Sequence, residues 1–316
     1  TTGVENTLIG ALAGDALTNS DENVAVGYQA LTSDTLGQYS LAIGRSTLTA
    51  QNFTTATSTY NTAVGYVAGN AVTTGTENTL LGAAAGDALT DADFNTALGS
   101  FALSADTLGS RSVAIGRRSL FSQNFTTATD VYNTAVGFNS GAAVTTGIRN
   151  TLIGGLAGQA LTSGGSNVAL GYESLLNEDA HGLNTAIGTQ ALFSLNAGAD
   201  AYNVAVGYQA GAAVSTGIFN TLIGGLAGDA LTDSDRNVAV GYFALSSDTL
   251  GTRSVAIGQA ALTSQNFTTA TSTYNVAVGH GSGENVTTGV QNVLIGGLAG
   301  DALTTGSSNV AVGYAA

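Results

Sequence analysis

Cysteine, proline, methionine, tryptophan and lysine are all missing from the 316-residue chain, and charge of either sign is scarce. Without cysteine there is no disulfide, no thiol nucleophile and no thiolate metal site. Charged residues make up 9% of the chain, with seven basic residues, all Arg, against 21 acidic ones. The formal net charge of −14 disfavours a basic patch for nucleic acid or an anionic membrane surface, and leaves metal cations and basic partners open. Neither a signal peptide nor an apolar run long enough to cross a bilayer occurs, so this segment is not expected to enter or span a membrane by itself. The chain has no initiator Met and both its ends fall inside a repeat. It is read as a piece of a longer protein whose targeting and anchoring parts lie elsewhere.

What the chain has is glycine, 44 of them, in a recurring setting. NTLIGGLAGDALT, residues 220–232, has the glycine density of a phosphate-cradling loop, but such a loop occurs once, between one strand and one helix. Variants of this stretch begin at Asn6, Asn78, Asn150, Asn220 and Asn292, an even spacing that is shortened by two in the third interval. A fixed period points to a repeat architecture before any site. The superrepeats start at residues 1, 73, 145, 215 and 287 of one continuous solenoid spanning 1–316.

Each superrepeat divides into four units with a core of Asn or Ser, then Thr/Val/Leu, Ala/Leu, Val/Ile/Leu and Gly. The heads are residues 6, 23, 40, 61, 78, 95, 112, 133, 150, 167, 184, 203, 220, 237, 254, 275, 292 and 309, numbered below as coils 1 to 18. Three of the four spacings in a superrepeat are equal; the one from the third head to the fourth is longer by four, and by only two in the third superrepeat. A unit of about 17 residues is too short for a packed helix pair. A period-two core rich in Val, Ile and Thr predicts an all-β fold, a parallel β-solenoid of about 18 coils.

Counting from the head as position 0, positions +1 and +3 share one strand face and are expected to fill the interior. Gly at +4 fits a corner with positive φ. A second short strand is expected after it, carrying Ala13, Ala30, Thr47 and Ala68 at +7. The heads, 15 of them Asn, suggest a ladder of stacked amides. Position +2 is always Ala or Leu and is expected to face outward. An apolar outward line is a buried face in some assembly, so Leu8, Leu80, Leu152, Leu222 and Leu294, with Ala25, Ala97, Ala169 and Ala239, are the expected contacts with further copies of the chain.

RSVAIGRRS at 111–119, QYSLAIGRS at 38–46 and TRSVAIGQA at 252–260 resemble the NSVAIG repeat of the YadA-like head domain of trimeric autotransporter adhesins. NVAVGYQAL at 23–31 is also similar to repeats of phage tail fibres. The resemblance covers essentially the whole chain. It implies a left-handed β-roll and a side-by-side homotrimer with the Ala of AIG toward the trimer axis. It also implies an extracellular place on a cell surface or virion fibre, as spacer and attachment segment, with a host-surface protein or glycan as partner. The family's coil is typically a little shorter, so the coils here carry extra backbone at a turn. A phage tail-fibre shaft and a self-assembling extracellular filament are the alternatives; ice binding by Thr arrays is disfavoured by placing the Thr column inside. With strands about 4.7 to 4.9 Å apart, eighteen coils predict a rod of about 85 to 90 Å.

Three surface features are candidates for chemistry. The longer spacings come from QNFTTATSTYN at 51–61, QNFTTATDVYN at 123–133 and QNFTTATSTYN at 265–275, shortened to LNAGADAYN at 195–203. Each is expected as an outward loop, and Asn52, Asn124 and Asn266 sit in N-F-T sequons, marking a glycosylation or ligand ridge against the plainer reading of a bulge packing Phe53 and Tyr60 over the roll. Asp15 with Asp21, Asp87 with Asp91 and Asp93, and Asp229 with Asp233 and Asp235 recur in turns. They are candidate Ca²⁺ ligands or a solvated turn, lost jointly in the third superrepeat to Gln159, Ser163 and Gly165. Tyr28, Tyr66, Tyr172, Tyr208, Tyr242 and Tyr314, with Phe138 and His280, follow the corner Gly as candidate sugar-stacking residues or covers of a protomer boundary. His181 and His280 fall in unrelated coils and no Ser, His and Asp recur together, so no catalytic residue and no organic cofactor is expected.

Overall fold

The computed structural model describes residues 3–316, and their regular structure is all β. The chain is a parallel β-solenoid of eighteen turns, nine in each of two compact units, Thr1–Ser163 and Gly164–Ala316. Each coil contributes a three-residue strand at +1 to +3. In the first unit Val24, Ala25 and Val26 pair with Leu41, Ala42 and Ile43. In the second, Thr221, Leu222 and Ile223 pair with Val238, Ala239 and Val240. Like position therefore stacks on like position.

The strand faces are reversed from the sequence expectation. Position +2 points into the roll: Ala25, Leu80, Ala97, Leu152, Ala169, Leu222, Ala239 and Leu294 are completely buried within the single chain. Of the nine expected contacts, Leu8 alone is open, at 43% exposure in the first coil. The eight buried residues are interior and offer no surface for a seam between chains. Positions +1 and +3 carry the solvent-facing side chains, partly exposed throughout, as in the Val24–Val26 and Thr221–Ile223 strands.

The reason is volume. So short a coil encloses a narrow interior, filled from +2 on one wall and from +7, +8 and +11 on the others. Where +2 is Leu, +8 is Gly; where +8 is Leu, as at Leu31, Leu103 or Leu245, +2 is Ala. A Cβ placed on Gly86 would lie 2.7 Å from Leu80 Cδ2, and one on Gly228 would lie 2.8 Å from Leu222 Cδ2. The fourth coil of a superrepeat is small on both walls, and its neighbours lean into it: Gly69 is met by Leu80 from the next coil and Leu48 from the one before. Four coils thus form one packing period, which is why the sequence repeats faithfully by the superrepeat and only loosely by the coil.

The corner glycine behaves as expected, with φ of +134° at Gly224 and a Cβ position 2.5 Å from the Gly241 carbonyl oxygen of the next coil. No other residue is tolerated there. The segment after it is a chain of turns and not a strand. Residues at +6 and +8 take left-handed φ, as Gln29 (57°) and Leu31 (53°) do, and their N–H groups reach different coils. Gln29 N–H donates to Ala11 O and Leu31 N–H to Thr47 O, so the coils stay hydrogen-bonded without ladder geometry. The residue before each head is also left-handed, as at Tyr60 (50°) and Arg236 (58°).

The heads form the expected amide ladder. Asn78 Oδ1 accepts the N–H of Asn95 at 3.0 Å, while Asn78 Nδ2 donates to the carbonyl of Ala92 in its own coil at 2.7 Å. Asn220 repeats this with Asn237 N–H and Ser234 O in the second unit. One buried side chain thus closes its own coil and docks the next, satisfying groups that would be costly to bury unpaired.

Candidate functional site

The exposed apolar face of each unit is built from the strand residues themselves. Ile43, Leu98, Leu170, Ile223, Ile257 and Ile295 at +3 are 36 to 44% exposed, beside a +1 column of Thr, Val and Leu. Aromatic and guanidinium groups border this apolar strip on both sides. On the +5 side Arg45 lies 5.8 Å from the Tyr28 ring and 5.5 Å from the Tyr66 ring, and donates to Tyr66 Oη. On the side before the head, Tyr39 stacks on Tyr60 at 5.2 Å, and Arg111 lies 4.9 Å from the Phe94 ring. In the second unit Arg236 lies 5.3 Å from the Phe219 ring, which stacks on Tyr202. All seven Arg occupy positions −1, +5 or +6. The aromatics singled out from sequence stand on this border, with Tyr28, Tyr66, Tyr172, Tyr208, Tyr242 and Phe138 each 44 to 56% exposed and Tyr314, in the last coil, at 81%.

The acidic turns act as steps between coils. Asp93 Oδ1 accepts the Thr76 N–H at 2.7 Å and Asp235 Oδ1 accepts the Ile218 N–H at 2.9 Å, each one coil back; Asp21 does the same for Val4. Asp91 and Asp233 accept the hydroxyls of Thr74 and Thr216. Asp87 accepts from Ser104 Oγ, and burial pushes its carboxyl above the usual range. Asp229 is raised for the same reason, with a buried Oδ1 that accepts no hydrogen bond from the described residues. Among the described residues, no three of these carboxylates converge within metal-ligand distance of one another. The group that does so is Glu178, Asp179 and His181, whose ligand atoms lie within 4.8 Å. A comparison of the two histidines with each other hides this group, because its three residues fall within one turn.

Glu178 belongs to a buried polar insert that sequence reading did not anticipate. Position +11 points inward and runs Leu, Asp, Gln, Val through a superrepeat, as at Leu231, Asp248, Gln265 and Val286. Asp248 Oδ1 accepts the N–H groups of Gly251 and Phe267, and its Oδ2 accepts from Gln265 Nε2. The same Nε2 reaches Ser254 Oγ, and Asn275 Nδ2 donates to Gln265 Oε1. Asp34 with Gln51 and Asp106 with Gln123 repeat the arrangement. Ser heads the coil wherever this Gln occurs, leaving room for its amide. In the third superrepeat Glu178 is longer by one methylene and Leu195 replaces the Gln; Glu178 accepts the N–H groups of His181 and Ala197. Burial raises the carboxyls of Asp248 and Glu178 above their ordinary values despite these donors.

The long loops leave the roll at this insert. Phe53, Phe125 and Phe267 are buried, while Tyr60 stays exposed on the Tyr39 ring. Two-residue parallel pairings brace the loops, Gly37–Gln38 with Thr57–Ser58, Gly109–Ser110 with Thr129–Asp130, and Gly251–Thr252 with Thr271–Ser272.

No known protein family matches the chain, and no curated protein matches it significantly. The parallel solenoid is compatible with the β-roll repeat that the NSVAIG-like cores resemble.

Proposed function

We propose that the chain is a structural segment of an extracellular fibre, a spacer and attachment element that stands beside two further copies of itself, joined through the +1/+3 face. The observation that carries this is the open strand face. Parallel sheets are ordinarily covered on both sides; here the roll covers one side, and the other presents Val, Ile and Leu to solvent along each unit. Its borders are rich in Tyr, Phe and Arg and free of Lys, the composition of an interface. A second copy fits because its coils repeat at the same spacing, and rotational closure buries every strip without leaving an edge. Three copies, and the place outside a cell or virion, follow from the resemblance to the adhesin head. The work proposed is mechanical, with no catalytic step.

Light scattering on the purified chain tests this reading. Three times the monomer mass is expected, falling to the monomer mass in Ile223→Glu and Ile257→Glu with the β-type circular dichroism retained. A wild-type monomer, or a trimer unchanged by both substitutions, overturns it.

A further inference from the structure

The long loops place the N-F-T sequons in an alternating exposure pattern. Asn52 and Thr54 point to solvent while Phe53 between them is buried at 7% exposure, and the same holds for Asn124-Phe125-Thr126 and Asn266-Phe267-Thr268. The buried ring fixes the loop, so that the two polar residues stand outward on either side. In each copy the Asn carboxamide lies against the hydroxyl of a Thr one coil back, Thr35 at 3.1 Å, Thr107 at 3.0 Å and Thr249 at 3.1 Å, whose single proton goes to the nearer carbonyl oxygen of Phe53, Phe125 and Phe267 at 2.8, 2.7 and 2.8 Å. That Thr oxygen is the one group among the described residues that engages the Asn carboxamide, and the sequon Thr hydroxyl bonds to none of them.

The chain contains its own comparisons. A fourth sequon, Asn285-Val286-Thr287, is exposed at its Asn, but both groups are committed to the following coil. Asn285 Nδ2 donates to Asp301 O at 2.8 Å and Thr287 Oγ1 to Thr304 O at 3.2 Å. Asn196 takes the loop position of Asn52, with its N–H bonded to Ser215 O as that of Asn52 is to Thr73 O, but Ala197 and Gly198 follow it and no sequon exists.

We propose that Asn52, Asn124 and Asn266 are N-glycosylation sites, and that Asn285 and Asn196 are not. In the transfer, Nδ2 attacks the anomeric carbon of a glycosyl diphosphate donor. The carbon–nitrogen bond forms and the bond from that carbon to the diphosphate oxygen breaks. The diphosphate leaves with the electron pair, and the amide proton passes to a basic group of the transferase. Within the first unit Asn52 and Asn124 are four coils apart, about 19 Å at the spacing of parallel strands, room for separate glycans on one ridge. The inference is independent of self-association.

Glycopeptide mass spectrometry of the protein purified from the organism that makes it provides the test. Glycan is expected on the three loop asparagines, with Asn285 and Asn196 bare. A single hexose at each identifies a sugar-nucleotide donor, and an oligosaccharide added as one block a lipid-linked donor. Bare asparagines at all three loops, or occupancy at Asn285, overturn the proposal. In the same organism Thr54→Ala is expected to remove glycan from Asn52 only, and Gly198→Thr to add a fourth site at Asn196; a bare Asn196 in that variant overturns the argument from loop geometry.

Discussion

Single residues in this solenoid are chosen in pairs across the interior. Leu80 at +2 faces Gly86 at +8, and the next coil inverts the sizes with Ala97 and Leu103. Leu80→Ala removes the filling of its own coil and of the small-walled coil before it, at a cost of about 2 to 5 kcal/mol. Gly86→Leu alone overpacks, costing about 1 to 3 kcal/mol. The double variant Leu80→Ala/Gly86→Leu copies the adjacent coil at +2 and +8, with a compatible backbone (φ of +56° at Gly86, +52° at Leu103), and removes the Leu80 clash while that with Leu89 Cδ1, 2.8 Å from the new Cβ, remains. Denaturant unfolding is expected to show the double variant more stable than the sum of the single losses; strict additivity contradicts the cross-wall pairing. The same pair explains the inverted faces. Alternation in the core reveals two faces without saying which is inside, and Val or Ile looks more like core than Ala does. The deciding signal was legible: every Leu at +2 coincides with a Gly at +8.

At the scale of the coil and its loop, the unit of selection is the buried insert. Asp248, Ser254 and Gln265 change together to Glu178, Asn184 and Leu195 in the third superrepeat, where the loop is shorter by two residues. Gln265→Leu alone takes the partner from Asp248 Oδ2 and from part of the Asn275 amide, each unsatisfied group costing about 1 to 3 kcal/mol, while Asp248 Oδ1 keeps its two N–H donors and the Ser254 hydroxyl keeps Thr273. Adding Asp248→Glu and Ser254→Asn is expected to restore part of the lost melting temperature; no recovery contradicts exchange as a set. The strands, corner glycines, amide ladder and loops could be read from the periodic columns. The inward +11 column could not, because Leu, Asp, Gln and Val share no chemistry and their common direction appears only once the coil is closed. The acidic turns carry bonds along the axis that spacing does not reveal: Asp91 and Asp93 accept from the coil before and Asp87 from the coil after.

For the whole molecule the balance of charge and burial sets the response to pH. Asp248 and Glu178 have folded-state carboxyls raised by burial. Their stabilising contribution is therefore fully present below the unfolded values of about 4 and lost as pH rises through the folded ones. Relief of the repulsion within a chain of net charge −14 acts in the same direction. The melting temperature at constant ionic strength is expected to rise as pH falls from about 7.5 to about 4.5; a fall over that interval contradicts the assignment.

The four-coil packing period also guards against misthreading. A solenoid whose turns were identical could close one turn out of step and lose only an end, since every backbone bond would be remade. Here omitting a turn breaks the four-coil order: it takes from a small-walled coil the leucines that lean into it, as Leu48 and Leu80 do at Gly69, or separates the Asp34 carboxylate from the Gln51 amide. Only displacement by an entire superrepeat restores the fit, and the altered third block spoils that match as well. Its divergence serves as a landmark, telling otherwise interchangeable stretches of chain where along the sequence they belong.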